Sequence, residues 1–92
     1  MRVALTERFQ TDVAGLAAAE RAAVFETLLA LPKAIGQAHR HAGLGVRKLH
    51  ASGICEARVG LGCRMVFTLA DDMLTLVRVG THDEIRRYLK SF

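Results

Sequence analysis

The groups in this chain best suited to chemistry are guanidiniums and imidazoles. Arg58 and Arg64 flank the glycine turn Gly60-Leu61-Gly62, and His82 follows Gly80-Thr81. A guanidinium engages two phosphate oxygens at once, and an imidazole exchanges protons near neutrality. Such groups can hold a phosphodiester and move protons around it. Each also has an ordinary reading. Arg64 faces solvent or pairs with Glu56. Arg58, two residues beyond Glu56, shares a strand face with it, and a salt bridge is the simpler role there. His82 opens a helix whose N-cap is Thr81 and whose capping-box partner is Glu84. Tyr88, six residues on and under two helical turns away, shares a face with His82 only approximately and serves equally well as a core or rim aromatic. Arg47, Lys48 and Arg78 are further cations for an anionic substrate. His50 ends a strand run and is either a general base, with Glu56 as its rival, or a solvated loop residue. His39 and His41, at i and i+2 in a glycine-rich stretch, do not form a committed ligand set with His50. Surface histidines are expected, with no metal and no other cofactor.

Charge placement points the same way as these residues. The net charge is +4, but Lys33, Arg40, Arg47, Lys48, Arg58 and Arg64 face the single acid Glu56 between positions 33 and 64. From Met65 onward acids and bases cancel. A locally basic segment on a neutral scaffold suits RNA, DNA or an acidic protein. Solvated surface charge is the bland alternative. At 92 residues, half of them apolar and with one proline, the chain reads as one domain spanning residues 1–92 with a modest core. No apolar run approaches a membrane span and Met1-Arg2-Val3-Ala4-Leu5 lacks a long apolar signal region, so a cytoplasmic location is expected, away from membranes. Cys55 and Cys63 lie inside strand patterns and are expected to be reduced, small apolar residues.

The elements that position these groups lie mostly between residues 46 and 92. Runs at 46–50, 54–59, 63–69 and 74–79 carry β-branched residues and end at Gly or Asp turns, which predicts a three- or four-stranded antiparallel meander followed by a short helix. A three-residue loop at Gly60–Gly62 sets Val59 opposite Cys63 and Arg58 opposite Arg64. A two-residue loop would shift that register. Directly opposed like charges destabilise a strand pair, so an anion or a nearby acid such as Glu56 must offset the two arginines. Upstream, Thr6 is a good N-cap before Glu7, and Phe9, Val13, Leu16 and Ala17 fall on one helical face. A second helical set comprises Ala17, Val24, Leu28 and Leu31, flanked by Phe25 and Leu29, with Pro32 ending the helix near Leu31. Val3-Ala4-Leu5 is a possible opening strand, at a sheet edge or beside the last strand. Residues 33–45 read as a polar connector, with a helical turn near Ile35 to His39 as an option.

Read in this order, the chain resembles the RelE/ParE superfamily of toxin–antitoxin toxins. The likeness rests on Val46-Arg47-Lys48-Leu49, on Glu56-Ala57-Arg58-Val59, on Arg64-Met65-Val66-Phe67, and on Val77-Arg78-Val79-Gly80-Thr81-His82-Asp83-Glu84. The closing Gly80-Thr81-His82 is most similar to the YafQ and YoeB branch of ribosome-dependent mRNA interferases, and Tyr88 matches the C-terminal tyrosine of the RelE branch. The resemblance implies an α+β fold, with an N-terminal helical hairpin packed on a four-stranded, mostly antiparallel sheet and a short C-terminal helix. It implies an endoribonuclease acting without a metal, in which a ribose 2′-hydroxyl attacks the adjacent phosphate. His82, Arg64, Tyr88 and His50 would then be catalytic, and Arg58, Lys48, Arg47 and Arg78 substrate-binding. The implied partners are a cognate antitoxin, the ribosome and mRNA, in a homodimer or a toxin–antitoxin hetero-oligomer. A ParE-like gyrase inhibitor without nuclease activity, or a degenerate toxin that only binds protein, are the alternatives the same scaffold allows.

Overall fold

In the computed structural model the described residues are 1–35, 45–49 and 53–91. Strand β1 (Arg2–Leu5) leads through the N-cap Thr6 into helix α1 (Glu7–Ala14), and helix α2 (Ala18–Ala34) follows. Strands β2 (Arg47–Lys48), β3 (Ile54–Val59), β4 (Cys63–Ala70) and β5 (Met73–Thr81) come next, and helix α3 (His82–Leu89) closes the chain. One five-stranded sheet runs in the order β1-β5-β4-β3-β2. The sheet therefore has one strand more than the four expected, because β1 joins it at the edge, parallel to β5. The rest is antiparallel.

Local chemistry explains the turns. Val59 pairs with Cys63 and Arg58 with Arg64, the register of a three-residue loop, and Gly60 takes a positive φ of 60°. The β4–β5 turn is a two-residue loop in which Asp71 and Asp72 both have positive φ, the backbone twist that suits tight hairpins. Phe67 pairs with Leu76 but Val66 pairs with Arg78, so Val77 is an extra residue and β5 bulges there.

Two apolar clusters hold the layers together. On one face Phe9 and Val13 of α1 and Val24 and Leu31 of α2 pack against Ala57, Val59, Cys63, Met65, Phe67, Leu74, Leu76 and Val79. On the other, Ile85 of α3 packs with Ile54 and Val66, with Tyr88 and Leu89 alongside. The helical hairpin covers one face and a short helix closes the chain, as expected, and the structure puts that short helix on the other face.

Pro32 does not end α2. The helix continues to Ala34, and Ile35 N still donates to Leu31 O at 3.0 Å. The ring removes one backbone donor, but Leu31 and Ala34 are 0% and 1% exposed, and their burial keeps the last turn in place. Phe25 and Leu29, which flank the helical set in sequence, are exposed, while Thr27 is buried. His39, His41, the option of a helical turn through His39, and His50 lie outside the described residues.

Candidate anion site

Strand alternation decides which side chains gather. Ala57, Val59, Cys63 and Met65 point into the core under α1 and α2, so Glu56, Arg58 and Arg64 emerge on the opposite face. Arg47 joins them because it is the cross-strand partner of Glu56. These four residues and Gly45 line a cavity of about 270 Å³.

Within it the charges are unequal. Glu56 is 5% exposed, and its Oε1 accepts from Arg47 Nε at 2.7 Å. The carboxylate is thus committed to Arg47 and not, as the Glu56 to Arg58 spacing suggests, to Arg58. Among the described residues no ion pair reaches Arg58 or Arg64. Arg64 Nη1 donates to its neighbouring carbonyl, Cys63 O, at 3.1 Å. Three guanidiniums face one carboxylate, and the two directly opposed arginines repel by a few tenths to about 1 kcal/mol. An anion seated between them removes that repulsion.

Gly45 shapes the wall. Its φ is +62°, and a Cβ there would lie 2.5 Å from Arg58 Nε and 3.0 Å from Arg58 Cγ and Cζ. The Arg58 side chain lies across the bare backbone of Gly45. Nothing in a one-residue pattern marks this glycine, because the contact joins elements separated in the chain.

The other candidate residues distribute around the sheet. Lys48 follows Arg47 and pairs with Cys55, which packs with the helix-covered core, so Lys48 lies on the opposite face from the cavity. Arg64 pairs with Gly80, two residues before His82, so β4 brings Arg64 to the strand end from which α3 starts. Thr81 caps that helix: its hydroxyl accepts from Glu84 N at 3.2 Å, and Glu84 Oε1 accepts from Thr81 N at 3.0 Å. The hydrogen bonds from the Thr81 backbone and hydroxyl region hold the Glu84 carboxyl below the usual carboxylate range, the backbone one most strongly. His82 is the first residue of α3 and is exposed. Ile85 sets the sheet-facing direction of α3, and His82 and Tyr88, three residues before and after it, lie about 60° to either side.

Arg78 and Tyr88 meet each other, away from the cavity lining. The Arg78 guanidinium lies 5.1 Å from the Tyr88 ring centroid. Its other contact is Asp12 of α1, through Nε to Oδ2 at 2.7 Å and Nη2 to Oδ1 at 3.4 Å. Asp12 carried no signal in the sequence, since its partner is 66 residues away. Cys55 and Cys63 are free thiols, pushed up in pKa chiefly by burial.

No family model matches the sequence, and no curated protein matches it by sequence. Solved structures do match the fold. YafQ from E. coli is 22% identical, over 92% of this chain and 98% of that one, with a TM-score of 0.66. A chain of the archaeal RelE–RelB complex from Pyrococcus horikoshii is 16% identical, over 87% and 92%, with a TM-score of 0.67. A chain of a toxin–antitoxin complex from Mycobacterium tuberculosis is 24% identical, over 88% and 96%, with a TM-score of 0.62. The fold is RelE-like across nearly the whole chain. No helix among the described residues is long and apolar enough to cross a membrane.

Proposed function

We propose that the chain is the toxin of a type II toxin–antitoxin pair and an endoribonuclease that cuts messenger RNA on the ribosome. The observation that carries this reading is the cavity in which Arg47, Arg58 and Arg64 face Glu56 alone. The carboxylate neutralises one guanidinium, and the remaining positive charge suits a phosphodiester. That phosphate gains charge as the 2′-oxygen adds, so preorganised guanidiniums favour the transition state over the ground state.

The chemistry follows from the groups available. His50 takes the proton of the 2′-hydroxyl as the 2′-oxygen bonds to phosphorus. Arg58 and Arg64 hold the phosphoryl oxygens. His82 donates a proton to the departing 5′-oxygen, leaving a 2′,3′-cyclic phosphate and a 5′-hydroxyl. Tyr88, on the other flank of α3, contributes its ring to the nucleotide. Lys48 adds to the positive field at the β2 edge instead of to the cavity, and Arg78 acts through Tyr88. The antitoxin is the expected partner, in keeping with the Pyrococcus chain, which comes from a RelE–RelB complex, and the Mycobacterium chain, which comes from a toxin–antitoxin complex.

The test is expression of the chain alone from a tightly controlled promoter, with 5′-hydroxyl ends mapped across messenger RNA. Growth arrest with in-frame cuts inside translated regions supports the nuclease. Arrest with intact messages transfers the reading to a gyrase inhibitor, and harmless expression to a binding module. Arg64→Ala and His82→Ala should each slow cleavage on the order of 10²-fold or more while folding and antitoxin binding persist. If both variants stay fully toxic, the site assignment fails.

A further inference from the structure

We infer that Asp12 is a positioning residue: through Arg78 it fixes the Tyr88 ring, and with it α3, the helix that also carries His82. The inference rests on the nuclease reading for what Tyr88 and His82 do, but the contact itself is independent of that reading.

Among the described residues no strand lies beside the outer edge of β5 beyond Leu76, because β1 ends at Leu5 and turns into α1. Helix α1 covers that edge and is fastened at two points. At its start Thr6 N donates to Leu76 O at 3.1 Å, and the Thr6 hydroxyl donates to Leu76 O at 3.0 Å. Further along, Asp12 Oδ2 accepts from the backbone N–H of Val79 at 3.1 Å as well as from Arg78 Nε at 2.7 Å. One carboxylate oxygen therefore satisfies a strand-edge donor and orients a guanidinium.

The bulge at Val77 makes this geometry possible. An unbroken strand would send alternate side chains to alternate faces, whereas the extra residue releases Arg78 to reach both α1 and α3. Its guanidinium is held at two points by Asp12 with Cζ over the Tyr88 ring, a combination of fork and cation–π contact that a lysine does not reproduce. Arg78 and Asp12 side chains are only 16% and 12% exposed, so water screens the pair weakly. Arg8 Nε, at 3.6 Å from Asp12 Oδ1, is a far more exposed cation on the same acid and adds little orientation. The result is a clasp that runs α1, β5, α3 around one sheet edge, tying the helical hairpin to the helix on the far face.

Tyr88 is the single tyrosine of a chain without tryptophan, so ring signals in NMR and fluorescence are assigned to it directly and report on its surroundings, the Arg78 contact among them. The test uses the full chain with Asp12→Asn, which keeps the shape and loses the charge, and Arg78→Lys, which keeps the charge and loses the plane. Both should shift the Tyr88 ring resonances and lower its fluorescence anisotropy, and the double variant should be no worse than the poorer single one. On ribosomes programmed with a defined message, single-turnover cleavage at saturating protein should fall on the order of 10- to 100-fold in either variant, with ribosome affinity within about twofold. Circular dichroism checks folding, and if Asp12→Asn is unfolded, Arg78→Lys carries the test. Unchanged Tyr88 signals overturn the clasp. Shifted Tyr88 signals with an unchanged cleavage rate overturn the positioning role. If the wild-type chain cleaves no message, the nuclease reading fails, and shifted Tyr88 signals still support the clasp.

Discussion

Replacing Gly45 with alanine probes the proposed anion site more sharply than removing an arginine does. Gly45 has φ +62°, where an alanine costs roughly 1–2 kcal/mol. The lower freedom of the unfolded chain offsets about 0.4–1 kcal/mol of that. A net loss near 1 kcal/mol lowers the melting temperature by about 4–8 °C in a chain of this size. Gly60 has nearly the same φ, +60°, but nothing lies within 4 Å of its added Cβ. The two variants therefore share backbone strain and differ in one contact, the Arg58 side chain that Gly45→Ala must displace. A flexible arginine moves at little energetic cost, so the two should melt at similar temperatures. They should part company when phosphate is added. An anion at ten times its dissociation constant stabilises the native state by about 1.4 kcal/mol. General salt effects of phosphate are common to both variants and cancel in the comparison. Gly60→Ala should gain as much from phosphate as the unaltered chain, and Gly45→Ala distinctly less, matching Arg58→Ala. Equal phosphate stabilisation of the two glycine variants would refute the placement of Arg58 in an anion site shaped by Gly45.

Two further expectations concern the scaffold. Because the Glu84 carboxyl is held below its ordinary value, its contribution is present above the unfolded pKa and is lost as pH falls through the lowered one. Glu84→Gln should flatten that acid limb in melts recorded from pH 6 down to pH 3, and Thr81→Ala should lose about 0.5–2 kcal/mol of cap stabilisation. Phe67→Ala, at a position 1% exposed in the centre of β4, should destabilise by about 3–5 kcal/mol, read from urea unfolding.

The parts of the fold that were legible are those decided by neighbours in sequence. The Gly60–Gly62 loop fixed the β3–β4 register because glycine supplies the positive φ and the period of two does the rest. Thr6 and Thr81 announced their helices because capping needs only three residues. Pro32 misled because a proline is read as a local stop, whereas the fate of the last turn was set by where Leu31 and Ala34 pack. The cavity was half visible: the opposition of Arg58 and Arg64 followed from the turn, but the capture of Glu56 by Arg47 depended on the two-residue β2 lying beside β3. Asp12 and Gly45 escaped altogether. Each acts on a residue brought near only by the finished sheet.

The sheet order also dictates a sequence of events during synthesis. The hairpin carrying Arg58 and Arg64 joins neighbours in the chain and can close as soon as both strands exist. The first strand and first helix have no such partner. Their anchors on β5 span 70 residues, so β1 and α1 wait for β5 before they are placed. A nascent chain that stops short of β5 holds its paired arginines, but it has no seat for α1 and no helix to bring His82. Assembly of the proposed site and the arrival of β5 and α3 are then nearly one event.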